Sequence, residues 1–340
     1  MKKVLVLLLA CLMIFGMFAC SSTTGGGTGS DPAQARKDDG VNRIGFALAD
    51  ISGQAVQTES SAFESTAKEL GFDEVIMLSA ENSVETQITQ VRDMITSECD
   101  VIVIYSVDAD GIVPAVQSCN EAGIPVIAVD RGIKSGDILC SIASNNISDG
   151  RDVANYFGTL TAGEPEKSVK CLHIIGNLSS TAQKERADGF RLGVDSWGQL
   201  TIVSEVATEA DADKIYNAVV DSFKTNPDIK AIFVPYDALL SPVVSALKEI
   251  GKYYPVGEEG HVMLGAVDGA TEQLEWLSQG VNDISISLDF QGFGAKAAEA
   301  AWAWLQGNSV AETIQTISIP CVMGNVDYLA KNGYLWGLSK

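Results

Sequence analysis

From Asn42 onward, short apolar runs alternate with helical patterns. Ile44 to Ala49 has the character of a strand, and Phe63, Ala67 and Leu70 then recur on one helical face. Val75 to Leu78 predicts a second strand, and Val84, Ile88, Val91 and Ile95 a second helix. Val101 to Tyr105, a helix with Ile112, Val116 and Cys119, and the strand Ile124 to Val129 continue the series. Ile138 to Ile142 predicts a shorter fifth strand. Runs that are apolar throughout, rather than alternating, belong to strands covered on both faces. The pattern is that of a doubly wound parallel sheet.

The pattern then restarts. Val153, Phe157 and Leu160 mark a helix, followed by the strand Val169 to Ile175 and a helix carrying Ala187, Phe190 and Val194. Thr201 to Ala207, a helix with Ile215, Val219 and Phe223, and Ala231 to Val234 come next. A helix with Val243, Leu247 and Ile250 precedes the strand Val262 to Val267. Each half carries its own core, so the fold class is α/β with two Rossmann-like lobes. The remaining strand Ile284 to Leu288, helix Phe293 to Leu305 and strand Ile317 to Met323 cannot bury a core alone and must complete the lobes. The chain is therefore expected to cross between lobes several times, forming a multi-strand hinge. Residues 42–144 with 289–318 are expected in the N-terminal lobe, and 145–288 with 319–340 in the C-terminal lobe.

In open α/β sheets ligands bind beyond the carboxyl ends of the strands, which makes the residues there the candidate site. The run Gly123 to Val129 ends abruptly in Asp130 and Arg131, a hydroxyl acceptor beside a planar fork of donors. A surface turn pair is the ordinary alternative. The first strand is followed by Asp50 and Gly53, the third by Ser106 and Asp108, and the fifth by Asn145. In the second half the ends supply Tyr236 with Asp237, Asp268, and Asp289 with Phe290. Arg186 lies near the start of a helix. Many hydrogen-bonding groups with few aromatics suit a polar, hydroxylated small molecule. Asp50, Asp108 and Asp237 have an equal claim to being helix caps or turn residues.

The leader changes the picture more than composition does. Lys2 and Lys3 precede an apolar stretch, Val4 to Phe18, too short for a comfortable membrane span. Its end, Met17-Phe18-Ala19-Cys20, resembles a bacterial lipoprotein signal over residues 1–20, which implies lipidation at Cys20. Residues 21–41, rich in Gly, Ser and Thr at their start, have the composition of a flexible tether. An ordinary secretion signal is the alternative. The formal net charge of -21 becomes -23 without the two leader lysines. Such acidity disfavours nucleic acid and anionic lipid surfaces as partners. Of the seven cysteines, Cys99, Cys119, Cys140, Cys171 and Cys321 lie outside the leader without metal or redox spacing. A bridge between Cys99 and Cys119 stays open.

Four segments together carry a family resemblance: Gly123 to Arg131, Ile142 to Asn146, Lys184 to Phe190 and Ala266 to Gly269. In this order the chain resembles the type 1 periplasmic sugar-binding proteins of ABC importers, its ribose-binding branch above all, from about Arg43 to Asp327. The resemblance implies a sugar or polyol held between two lobes, a membrane permease as partner and a monomer. It assigns sugar contacts to Asp130, Arg131, Arg186 and Asp268, and a cleft-lining place to Asn145. Two departures stand out. Gly53 to Gln57 occupies the segment where the family places stacking aromatics, and Ala212 occupies another such position. Tyr236, Phe290 or Tyr105 would then supply a stacking face.

Enzyme chemistry finds no support. GxGxxG after the first strand, Walker and GxSxG motifs are absent. Both SxxK matches, Ser65 to Lys68 and Ser245 to Lys248, fall in ordinary helical patterns. His173 and His261 have no partner at metal spacing, and Asp108-Ala-Asp110-Gly111 is too short for a calcium loop. No cofactor or metal is expected. A sensor ectodomain signalling to a chemoreceptor or kinase would use the same site without transport.

Overall fold

The computed structural model describes residues 39–163 and 168–338. The leader, Cys20 and nearly all of the tether lie outside these residues. The chain opens with β1 (Arg43–Leu48), α1 (Gln54–Leu70), β2 (Glu74–Ser79), α2 (Val84–Thr96), β3 (Val101–Ile104), α3 (Val113–Glu121), β4 (Val126–Val129) and β5 (Cys140–Ala143). There follow α4 (Asn146–Thr161), β6 (Val169–Ile175), α5 (Thr181–Asp195), β7 (Leu200–Ala207), α6 (Ala212–Thr225), β8 (Ile229–Phe233), α7 (Leu240–Glu249), β9 (Met263–Asp268), α8 (Thr271–Gln279) and β10 (Ile284–Leu288). The end comprises α9 (Phe290–Leu305), β11 (Thr313–Gln315), β12 (Ser318–Cys321), α10 (Val326–Lys331) and a 3₁₀ turn, Trp336–Leu338.

Two six-stranded sheets result, ordered β11-β5-β4-β3-β1-β2 and β12-β10-β9-β8-β6-β7. All described pairings are parallel except that of β12 with β10. The reason lies in the strands themselves: Val101–Ile104 and Val126–Val129 are buried at every position. Such strands need helices on both faces. In the first lobe α1 and α9 pack together, as do α2 and α3; in the second, α4 pairs with α5 and α6 with α7. The chain passes from one sheet to the other after β5, after β10 and between β11 and β12. In each sheet the first strand lies between the second and third of its lobe. That arrangement places a topological switch point beside β1 and β3, and another beside β6 and β8.

Helices α4 and α5 approach closely because both carry glycine where they cross. A methyl group at Gly150 would stand 1.9 Å from the Arg186 carbonyl oxygen, and one at Gly189 would stand 2.0 Å from that of Ile147. Backbone on both sides cannot yield cheaply. Gly150→Ala is expected to destabilise the fold by about 1–3 kcal/mol, read as a lower urea midpoint. An unchanged midpoint would show that the helices can separate without loss.

The bridge between Cys99 and Cys119 is not formed. Both side chains are buried in the apolar patch between the first sheet and α2 and α3, and neither belongs to a disulfide. Burial pushes the Cys119 thiol up to about 12. His173 is also a core residue, packed against Phe190 and Phe233 with Nδ1 2.9 Å from Glu205. Among the described residues no helix is long and apolar enough to cross a membrane, and no His, Cys, Asp and Glu cluster could hold a metal ion.

Candidate functional site

A cavity of about 350 Å³ lies where the carboxyl ends of the two sheets face each other. That volume is at the small end of ligand pockets, which run about 300–1,000 Å³. The first lobe contributes Asp50 and Gly53 after β1, Tyr105 after β3, and Asp130 and Arg131 after β4. The second contributes Ser180 and Gln183 at the start of α5, Tyr236 after β8 and Asp268 at the end of β9. Phe290 completes the wall at the start of α9. Across the mouth the lobes touch: Gln54 Nε2 donates to Thr271 Oγ1 at 2.7 Å, and the Gly132 amide donates to Thr181 Oγ1 at 2.7 Å.

Asp130 is buried, with a left-handed backbone at φ +58°. Its amide donates to the Ile142 carbonyl at 2.8 Å, so the turn leaves β4 while still tied to β5. Asp tolerates this conformation better than most residues, which suits it to such a strand end. Arg131 donates from Nη1 to the Ser106 carbonyl at 3.2 Å, and its guanidinium lies 4.6 Å from the centre of the Tyr105 ring. Contact with a ring face fixes the fork without using all its donors.

Arg186 faces this pair from the second lobe. It is 3% exposed and donates to three acceptors: Asn146 Oδ1 at 3.0 Å, the Pro235 carbonyl at 3.1 Å and Asp268 Oδ1 at 2.9 Å. Burial pushes the Asp268 carboxyl up to about 7; Arg186 opposes the shift, and the nearby Asp130 charge adds to it. The Asp268 backbone is itself unusual, with φ +113°. Two groups hold it there. The buried Asp237 carboxylate accepts from the Gly269 and Ala270 amides at 2.6 and 2.7 Å, and the Trp336 indole donates to the Asp268 carbonyl at 2.8 Å. Asp237 is thus the buttress of this loop.

Two expected site residues lie elsewhere. Asn145 is exposed, caps α4 by accepting from the Ser148 amide at 3.0 Å, and does not line the cavity. The next residue, Asn146, is buried and takes the bond from Arg186. The cap fixes Asn145 outside the helix, which turns Asn146 inward. Asp289 likewise caps α9, accepting from the Gly292 amide at 2.8 Å, and lines a separate small pocket with Ile317 and Tyr334. Asp50 does reach the mouth, tied to the Ser52 amide and to Asn82 Nδ2 at 2.9 and 2.7 Å. Gly53 has open space on its side-chain face. Tyr105, Tyr236 and Phe290 supply the aromatic surface, whereas Ala55 and Val56 line the wall without rings.

Glu59 was not foreseen. It is fully buried on α1, and neither carboxyl oxygen has a hydrogen-bond partner. Burial, and then the Asp130 charge, push its carboxyl well above the usual carboxylate range. The signal was its spacing: Val56, Glu59 and Phe63 share one helical face.

Two doubly wound lobes whose polar strand ends converge on one cleft cavity define a cleft-type binding protein. Residues 44–309 match the family model described as periplasmic binding protein domain, and the chain belongs to that family. It is 26% identical over 318 residues to the ribose import binding protein RbsB of Bacillus subtilis (strain 168), covering 92% of this chain and 97% of the relative. Among solved structures it is similar to the periplasmic binding protein component of the arabinose ABC transporter of Shewanella sp. ANA-3, bound to alpha and beta-L-arabinofuranose. That likeness has a TM-score of 0.76 at 25% identity over 86% of this chain and 95% of the other. A Mycobacterium smegmatis structure in complex with beta-D-fucofuranose shares the fold at a TM-score of 0.78, with 21% identity over 86% and 95% of the two chains. The Bacillus and Shewanella relatives are binding proteins, and the chain is a binding protein rather than an enzyme. Its domain belongs to exported proteins.

Proposed function

We propose that the chain captures a sugar or small polyol for an ABC importer, with Cys20 carrying a lipid that holds the mature protein to the cell envelope. The observation that carries the reading is the opposed set Asp130–Arg131 and Arg186–Asp268, one pair from each lobe, around a cavity of monosaccharide scale. Carboxylates accept ligand hydroxyl protons, guanidinium groups donate to hydroxyl and ring oxygens, and rings cover C–H faces. Residues from both lobes on one ligand make binding and closure a single event, which is the form a permease would read. The ribose and arabinofuranose of the relatives support the ligand class. The aromatic set differs from the family pattern, because Ala55 and Val56 replace rings at the first lobe's wall.

A thermal-shift panel of pentoses, hexoses, polyols and nucleosides tests the reading. A tight ligand raises the melting temperature by mass action. A response to nucleosides alone, or to none, would overturn the sugar assignment. Two further outcomes are expected. Cys20→Ser should move the protein from the membrane to the soluble fraction, and a variant that stays with the membrane would remove the lipid anchor. Binding should also favour ionised Asp268, since ligand hydroxyls donate to it. With its carboxyl at about 7 in the ligand-free site, affinity should fall as pH drops below that value, and binding should release protons. Arg186, Asp130 and Arg131, with the buried Asp237 behind the bend, are the ionisable groups around it. Calorimetry at about pH 6.5 in buffers of different ionisation enthalpy reads the release, and heats independent of buffer would contradict it.

A further inference from the structure

The tail beyond α10 belongs to neither sheet, yet it reaches the cavity wall from behind. Leu335 is fully buried with Leu274, Leu277, Cys321 and Val326, which anchors the tail to the second lobe. Trp336, 8% exposed, then meets a residue from each side of the cleft. Its ring packs edge-on to Phe290 at 5.0 Å, and its Nε1–H donates to the Asp268 carbonyl at 2.8 Å. The next residue, Gly337, accepts from the Thr271 hydroxyl, the same hydroxyl that receives Gln54 from the first lobe. A methyl group at Gly337 would stand 2.3 Å from the Gly269 carbonyl oxygen, so the turn lies flush against the Asp268–Gly269 bend.

We propose that Trp336 is a positioning residue of the ligand site and that the C-terminal turn is a latch for the closed form. The assignment rests on the sugar-binding reading given above. Asp268 adopts φ +113° and Gly269 φ +80°, a bend that an aspartate holds only when its surroundings over-determine it. Asp237 satisfies the amides on one side of that bend, and the Trp336 indole satisfies the carbonyl on the other. The same indole fixes the ring of Phe290, which starts α9 in the first lobe and forms part of the aromatic wall. One side chain thus aligns a polar and an apolar contact drawn from opposite lobes. Opening of the cleft separates Phe290 from Trp336 and frees the Thr271–Gln54 link, so the turn favours the closed state and acts on ligand release.

Trp336→Phe keeps a ring against Phe290 but removes the indole donor; Trp336→Ala removes both. The probe is whichever of D-ribose, L-arabinose, D-fucose and myo-inositol binds the wild-type protein tightest in calorimetry, with rates from stopped flow. The expected result is a dissociation rate about tenfold faster or more for Trp336→Ala, and several-fold faster for Trp336→Phe, with association nearly unchanged. The order of preference within the panel should also change. Amide exchange at Gly269 and Ala270, measured without ligand, should quicken in Trp336→Phe even where its melting temperature matches wild type. Wild-type dissociation and exchange in folded Trp336→Phe would overturn the positioning role and leave Trp336 as core filling. If wild type binds none of these four, no ligand rates are read, and the wider thermal-shift panel decides the sugar reading separately. Amide exchange then decides the latch alone: faster in Trp336→Phe upholds it, unchanged removes it.

Discussion

Arg186→Ala is expected to lower ligand affinity by two to three orders of magnitude while leaving a folded, weakened second lobe. The guanidinium is buried and serves Asn146, Pro235 and Asp268 together. Deleting it takes a donor from the Pro235 carbonyl and from Asn146 Oδ1, which keeps only Ser144 Oγ at 3.3 Å, and leaves Asp268 with the more distant Arg131 as its cation. Breaking a buried ion pair from one side costs about 3–5 kcal/mol, most of it the penalty on the stranded partner. Asp268 avoids part of that penalty by taking up a proton, because its carboxyl already stands at about 7 with Arg186 present. A protonated Asp268 no longer attracts ligand hydroxyls as an ion, so the loss falls on binding as well as on stability. Arg186→Lys should not restore affinity, since one ammonium cannot reproduce a planar fork spread over three acceptors. Calorimetry and urea unfolding on both variants separate the two losses. Wild-type affinity in Arg186→Ala would remove Arg186 from the site.

The architecture was legible because its signals are periodic and repeated. All-apolar runs such as Val126–Val129 specify strands covered on both faces, and the sharp change at Asp130 marks where the sheet ends and the cavity begins. Less legible is any place where one residue of register decides direction. Asn145 and Asn146 are identical in type, and only the cap geometry shows which of them turns inward. Asp289 illustrates the same difficulty, since a carboxylate at a strand end serves a helix cap as readily as a ligand. Trp336 was illegible for another reason. It sits 68 residues from Asp268, and nothing local shows that a tail turn will dock behind a strand end. Glu59 ran against composition, because a glutamate on a helix normally points to water.

The second large effect concerns Asp130, where charge and backbone can be tested apart. Asp130→Ala is expected to weaken binding by about 2 kcal/mol or more, because ligand hydroxyls and Arg131 lose an ionised partner. Alanine also fits poorly at φ +58°, so part of the measured loss would come from a displaced turn. Asp130→Asn avoids that ambiguity: asparagine tolerates the left-handed region and keeps the shape while removing the charge. If the carboxylate is the acceptor, Asn should lose most of what Ala loses, with the Asp130 amide still bonded to Ile142. Removing the Asp130 charge also takes an ionised neighbour from the buried Arg131 and Arg186, so Asp130→Asn should lose some stability in urea as well as affinity. Equal affinity in Asp130→Asn and wild type would leave Asp130 as the residue that shapes the end of β4, with Arg131 alone making the contact.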